Sequence, residues 1–268
     1  QHGLIGNRTR WLQFRTVTCR RWSTGNVVLL GDAAHTAHYS IGSGTKLAME
    51  DAIALDATLS AAATVDDALA EYERIRRPAV EHLQQIAKRS EHWWESFPQR
   101  MDLPVEQLMV AYMTRAGKVG LGRFLESAPE VAWAGIAAYG GVDAGFEAPV
   151  DVVDWVLNRP LEHGGRRFDD RTAPPSLRDE ATTTVLSVDV ESAWDEKATA
   201  LVDEVRASAA VWLTGPDDRA HVLTRIDLAE RMLRSTGALM TVDVPAACLP
   251  DAAAGLVSVR THLVSVTS

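Results

Sequence analysis

The sequence predicts an α/β protein: long helices after one short buried strand, then a small unit of alternating strands and helices. Three observations carry this prediction. Residues 27–30 (VVLL) are a continuous apolar run bounded by glycine and aspartate, the pattern of a short strand buried on both faces. Helical periodicity then dominates to about residue 140. From residue 183 strand-like runs alternate with helical stripes, which predicts parallel strands joined by crossover helices. The reading divides the chain into residues 1–140, a linker at 141–180 and a small α/β domain at 181–268.

Taken in order, residues 11–17 (WLQFRTV) alternate large apolar and polar side chains, a strand with one buried face. Beyond VVLL and the glycines at 42 and 44, the run TKLAMEDAIALDATLSAA repeats Ala48, Ala52, Leu55 and Leu59 at helical spacing, a helix of about four turns. Thr64 and Asp67 form a capping box with the shorter acid and open a longer helix with the stripe Leu69, Tyr72, Ile75, Val80, Leu83, Ile86 and Trp93 or Trp94. Pro78 removes one backbone donor, so a kink or break is expected there. Residues 103–140 are helical again, interrupted at Gly117 and Gly122. The glycines and prolines of 140–179 read as an extended connection. Strands follow at 183–190, 210–214 and 238–244, with helices at 192–208 and 217–236 (stripe Val222, Ile226, Ala229, Leu233) and a last strand within Gly255 to Val266.

The 268 residues are 46% hydrophobic and 24% charged, globular proportions that exclude wholesale disorder. No run of eighteen apolar residues occurs and no signal pattern opens the chain, so a cytoplasmic protein without a membrane span is expected. Cys19 and Cys248 are too few for a disulfide framework, and His163, His221 and His262 lack metal-ligand spacing, so no metal site is expected. Residues 1–100 hold 12 Lys and Arg against 11 Asp and Glu, and the rest 15 against 25, a balance that disfavours nucleic-acid binding. The acid-free opening carries Arg8, Arg10, Arg15, Arg20 and Arg21, either contacts for a phosphate-bearing ligand or a solvated face.

Chemistry concentrates in Gly31 to Asp51, GDAAHTAHYSIGSGTKLAMED. A buried strand ends in Gly-Asp, a loop of small residues follows, and a helix starts at a glycine pair. Glycine lets the backbone approach a ligand, while amides at a helix N-terminus face an anion or an electron-rich oxygen. Asp32, at the end of the strand, is placed to accept hydrogen bonds from ligand hydroxyls. Neither a P-loop nor a G-x-G-x-x-G fingerprint is present, since Thr45 precedes Lys46 and Leu47 stands at the last glycine position.

This stretch resembles the second flavin-binding motif of the FAD-dependent aromatic monooxygenases, the para-hydroxybenzoate hydroxylase-like class. Gly31 to His35 match the opening, Gly42 and Gly44 the glycine pair, and Asp51 the helical acid. HYSIGSGTKLAMEDA, with its flanks from about residue 7 to 97, is most similar to the salicyloyl-CoA and anthraniloyl-CoA hydroxylase branch. The usual Pro-Pro is His38-Tyr39, and the usual Asn after the glycine pair is Lys46, both as in that branch. The resemblance implies that Gly31, Asp32, Ala33, Gly42, Ser43, Gly44, Thr45, Lys46 and Leu47 hold FAD. Asp32 would take ribityl or phosphate-side hydroxyls, and the amides of Gly44 to Leu47 would face the flavin's N1 and O2. It implies reduction by NAD(P)H and hydroxylation of an aromatic substrate, such as a CoA thioester, through a flavin C4a-hydroperoxide. His38 and Tyr39 are candidates to line the ring's edge, with a structural role as the alternative. His35 is read as packing, Trp93 and Trp94 as core or interface, and Lys46–Glu50 as a surface helix pair.

The motif lies late in longer members of that class, which implies that a front half with the G-x-G-x-x-G turn and the nicotinamide-related motif is missing here. An N-terminal FAD/NAD(P)H-binding polypeptide is then an expected partner. Residues 1–140 would be the C-terminal part of a Rossmann-like FAD-binding monooxygenase domain. Residues 225–266 resemble the last βαβ region of an old-yellow-enzyme-like barrel. There the family has glycine before the arginine of its final strand motif, where phosphate sits, and this chain has Val259-Arg260. The small domain therefore reads as a truncated, non-catalytic barrel used in packing or homo-oligomerisation. The alternatives are a non-catalytic flavoprotein fragment serving assembly or regulation, and a basic-strand module for CoA or nucleotide phosphates.

Overall fold

A computed structural model describes residues 13–145 and 147–267. The chain divides into two compact units, one up to Ser96 and one from Phe97.

In the first unit, β1 (Ser23–Thr24) and β2 (Val27–Val28) form an antiparallel hairpin around Gly25, whose φ of 54° suits the tight turn. The expected buried strand at 27–30 is thus two residues long, and with β1 as its one described partner it leaves Val27 57% exposed. The described part of the expected strand at 11–17 is irregular and exposed; Trp11, Leu12, Arg8 and Arg10 lie outside the described residues. Pairing begins at its last residue, where the Thr36 N–H donates to Val17 O, and continues with the Cys19 N–H donating to Ala34 O.

Helix α1 (Gly44–Ala61) packs on α2 (Val65–Glu95). The Thr64 hydroxyl caps α2, accepting from the Asp67 N–H at 3.1 Å, as the capping pattern predicts. Pro78 lies inside α2 without breaking it. Two stripes differ from expectation. On α1 the buried positions are Leu47, Asp51 and Thr58, while Ala52 and Leu59 face out. On α2 Ile75 is exposed and Arg76 is buried, because Arg76 reaches charged partners on α1. The core gathers Trp22, Ala34, Ala37, Leu47, Tyr72, Val80 and Ala87.

The second unit opens with α3 (Val105–Thr114), α4 (Leu121–Ser127) and α5 (Pro129–Gly140). Gly117, with φ of 69°, sits in the turn after α3, whereas Gly122 lies inside α4 and interrupts nothing. Val110, Leu121, Phe124, Trp133 and Ile136 share one core with the sheet that follows, so the boundary falls at Ser96–Phe97 and not at residue 140. Residues 141–180 are not an extended linker. They hold α6 (Val152–Leu157), the hairpin of β3 (Leu161–His163) and β4 (Arg166–Phe168), and α7 (Pro175–Arg178), with Leu161, Ala173 and Leu177 buried.

Next come β5 (Thr183–Ser187), α8 (Glu196–Glu204), β6 (Ala210–Thr214), α9 (Arg219–Thr236), β7 (Leu239–Pro245), α10 (Leu249–Val257) and β8 (Leu263–Thr267). The strands form one parallel sheet in the order β5-β6-β7-β8, as the alternation predicts. On the free side of β8, Thr172 makes a parallel bridge to Val264. Trp212 and Leu239 face the hairpin and α7, while Val211, Leu213, Met240 and Val242 face the helices.

Helix α10 ends in a reverse turn in which the Arg260 N–H donates to Gly255 O and Val259 takes a φ of 54°, where glycine is usual. Arg260 is buried with its guanidinium 3.4 Å from Asp227 and 3.8 Å from Glu230. It precedes β8, at the amino end of that strand. With valine where glycine is usual, the turn carries backbone strain.

Candidate functional site

The loop from Gly31 to Gly44 is held from beneath by a buried carboxylate. Asp51, fully buried on α1, accepts from the Gly31 N–H at 3.0 Å and the Arg76 Nε–H at 2.8 Å, and its Oδ2 lies 2.8 Å from His35 Nε2. Arg76 also reaches Glu50 at 3.1 Å, and Lys46 meets Glu50 at 3.3 Å on the surface. A buried acid is tolerated when paired and hydrogen-bonded in this way. Gly31 has a φ of 55°, and a Cβ there would stand 2.9 Å from that of Ala48, so this turn meets α1 only as glycine. Beside it, Trp22 packs on His35 and Tyr72, and the Tyr72 hydroxyl donates to Leu29 O at the end of the hairpin. Burial and the nearby Asp51 carboxylate push the Tyr72 hydroxyl well above the usual phenol range.

The expected cofactor-facing residues emerge from this platform. Asp32 and Ala33 lie exposed in the short helical turn Gly31–Ala33. Gly42 closes a second turn, Tyr39–Ile41, in the left-handed conformation. The Ser43 hydroxyl donates to Ile41 O and does not cap α1. The amides of Gly44, Thr45 and Lys46 therefore have no acceptor among the described residues, whereas the Leu47 N–H donates to Ser43 O and its side chain is buried. Of the four amides expected to face a ligand, three are available. Open space surrounds the missing side chains of Gly42 and Gly44. An uncapped N-terminus on an 18-residue helix, beside an exposed carboxylate, fits a ligand with an electron-rich carbonyl edge and hydroxyls.

On the rim, His38 is 9% exposed and its Nδ1 lies 2.9 Å from the Ser40 hydroxyl. The Ser40 hydroxyl donates to Ser90 Oγ on α2 at 2.8 Å. Phe14, His38 and Tyr39 form an aromatic cluster in which Tyr39 is 71% exposed. Trp93 is buried and edge-on to the half-exposed Trp94. Sequence reasoning missed Arg76 and Ser90; the one available signal was a charged or polar residue interrupting the apolar stripe of α2. Among the described residues no group of three or more His, Cys, Asp or Glu side chains could hold a metal ion.

Residues 6–87 match the family model of the FAD binding domain. The chain is 52% identical over 116 residues to 3-hydroxy-4-methyl-anthranilyl-[aryl-carrier protein] 5-monooxygenase of Streptosporangium sibiricum, covering 43% of this chain and 32% of that protein. It is 57% identical over 97 residues to salicyloyl-CoA 5-hydroxylase of a Streptomyces species, 36% of this chain and 19% of the relative. To protodeoxyviolaceinate monooxygenase of Chromobacterium violaceum it is 33% identical over 115 residues, 42% of this chain and 31% of the relative. The matched part thus spans between a fifth and a third of these relatives' lengths. Within these bounds, residues 6–87 are similar to the FAD binding domain, and about two fifths of the chain is similar to proteins named as monooxygenases or hydroxylases.

Proposed function

We propose that this chain is the C-terminal part of an FAD- and NAD(P)H-dependent monooxygenase that hydroxylates an aromatic acyl thioester. The carrying observation is the pairing of an uncapped α1 N-terminus with the exposed Asp32 on a glycine-lined loop. FAD, when bound, supplies the redox chemistry. The chain's own residues do the rest: Asp32 accepts from flavin hydroxyls, and the amides of Gly44, Thr45 and Lys46 steady negative charge on the ring's carbonyl edge. Asp51, His35 and Arg76 keep the loop in place. His38 and Tyr39 line the substrate side. The thioester class rests on the names of two of the relatives, an aryl-carrier-protein monooxygenase and a CoA-ester hydroxylase.

A polypeptide carrying the complementary FAD/NAD(P)H-binding half completes the site in this reading. Its support is α1 itself, which packs one side on α2 yet keeps Met49 and Ile53 more than 60% exposed on another. A helix apolar on both sides is built to be covered on both. The sequential parallel order β5-β6-β7-β8, with Thr172 beside β8, supports reading the small domain as a shortened old-yellow-enzyme-like barrel. No described helix is long and apolar enough to cross a membrane, and the free Cys19 and Cys248 accord with the cytoplasm.

The test is flavin retention, read from the visible spectrum after co-purification with the complementary half. We expect Asp32→Ala to weaken flavin binding by roughly tenfold or more, the size of a hydrogen bond to a charged group, with circular dichroism unchanged. Retention equal to the wild type would remove the role of Asp32, and no flavin in any preparation would remove the reading.

A further inference from the structure

Between the β1–β2 hairpin and α2 lies a cleft of about 540 Å³ that shares no residue with the Gly31–Gly44 loop. Its framework is fixed by contacts within the first unit. The Trp22 N–H donates to Glu73 Oε2 at 3.0 Å, while Arg77 donates to Cys19 O and Arg20 O, pairs with Glu73 and lies over the Trp22 ring. Arg74 is committed too, held by Glu71 through two bonds of 2.6 Å. Other groups in the cleft are free. Arg21 beside β1 and Asp66 in the first turn of α2 both line it, yet among the described residues neither has a hydrogen bond or ion pair, and they do not reach each other. The side-chain hydroxyls of Ser23 and Thr24 on β1 are equally uncommitted there. Pro78 adds an acceptor, because it has no N–H to give the carbonyl of Arg74, four residues earlier on the same helix face.

The two sides of the cleft therefore differ in chemistry. The hairpin offers a guanidinium and two hydroxyls, which are donors, and the helix offers a carboxylate and a carbonyl, which are acceptors. A ligand that satisfies both has an anionic end and, beyond an apolar middle set against Leu69, a group of N–H or O–H donors. The volume falls within the range of about 300–1,000 Å³ typical of organic-ligand sites, more than an inorganic anion needs. We infer that this cleft binds a phosphorylated adenosine. The phosphate meets Arg21, Ser23 and Thr24, and the exocyclic amine and ribose hydroxyls donate to Asp66 and the Arg74 carbonyl. In the function proposed above two reactants carry this group, a CoA thioester and the NAD(P)H reductant. Its assignment to either rests on that reading, whereas the binding itself rests on the cleft alone.

Calorimetric titration of the full chain tests this without any flavin, using AMP, adenosine and inorganic phosphate as probes. We expect AMP to bind and Arg21→Ala to weaken it roughly tenfold, the size of a hydrogen bond to a charged group, while adenosine changes less than about twofold. Asp66→Ala should weaken AMP and adenosine alike. Both side chains are exposed, so circular dichroism should show the fold unchanged in either variant. AMP that does not bind the wild type, or binds with an affinity that either substitution leaves unchanged, overturns the inference. Inorganic phosphate binding as tightly as AMP also overturns it, since phosphate makes none of the helix-side contacts. CoA and NADPH then distinguish the source: the one whose affinity falls with Arg21→Ala is the occupant, and dependence in neither overturns the inference. Flavin retention with the complementary half is scored separately. AMP binding by a chain that never retains flavin would keep the cleft and remove only its assignment to a reactant.

Discussion

Asp51 gathers the Gly31 amide, His35 and Arg76 around one fully buried carboxylate. Replacing it with asparagine keeps the shape but leaves the Arg76 guanidinium without its buried counter-charge. Asp51→Asn should lower stability by about 3 kcal/mol, measured by urea unfolding. A second residue-scale prediction concerns His262. Its Nδ1 accepts from the Met240 N–H at 3.0 Å, and burial, together with His163 and Arg171, pushes its pKa down to about 3. Between pH 6.5 and 3 the unfolded chain then binds a proton that the folded chain refuses. Stability is fully present at neutral pH and falls on acidification, by up to about 1.4 kcal/mol per pH unit. His262→Asn retains an acceptor for Met240 without the titration, and should flatten the acid limb of a pH series of urea midpoints. At this scale the sequence was partly legible. Gly31, Asp32 and Asp51 stand in a recognisable order, whereas Arg76 comes from another helix, and no local pattern couples positions 51 and 76.

Helix α1 shows why a correct element can carry a wrong face. Its existence and length follow from the glycine pair and the unbroken run of helix formers, but both sides are apolar, so periodicity could not choose between Ala52 and Leu55. Helix α10 is not legible for a related reason: after Asp251 the run AAAGLV is apolar throughout and shows no stripe to read, because every residue from Ala252 to Val257 is buried. Helix α2, by contrast, was readable from its cap, and the cap is testable. Thr64→Ala removes the acceptor of the Asp67 N–H and should cost about 1 kcal/mol in a thermal or urea melt.

At the scale of the molecule, the parallel sheet was legible and the division of the chain was not. The texture of residues 103–140 is helical like that of α2, and only burial reveals that these helices share a core with β5 to β8. Residues 97–268 should therefore fold when expressed alone, with a single cooperative thermal transition by circular dichroism; a fragment beginning at residue 141 should lose that cooperativity, since it lacks the helices lining the same core. The bridge between Thr172 and Val264 also bears on how this unit reaches its native state. Each β-α-β step joins near neighbours in sequence and closes a short loop, whereas the Thr172 contact closes one of about 90 residues, a larger entropy loss before any reward. The kinetic order follows. The sheet zips locally from β5 through β8, and the segment at 171–173 docks last, so slow refolding phases should report on that seam and not on the sheet's interior.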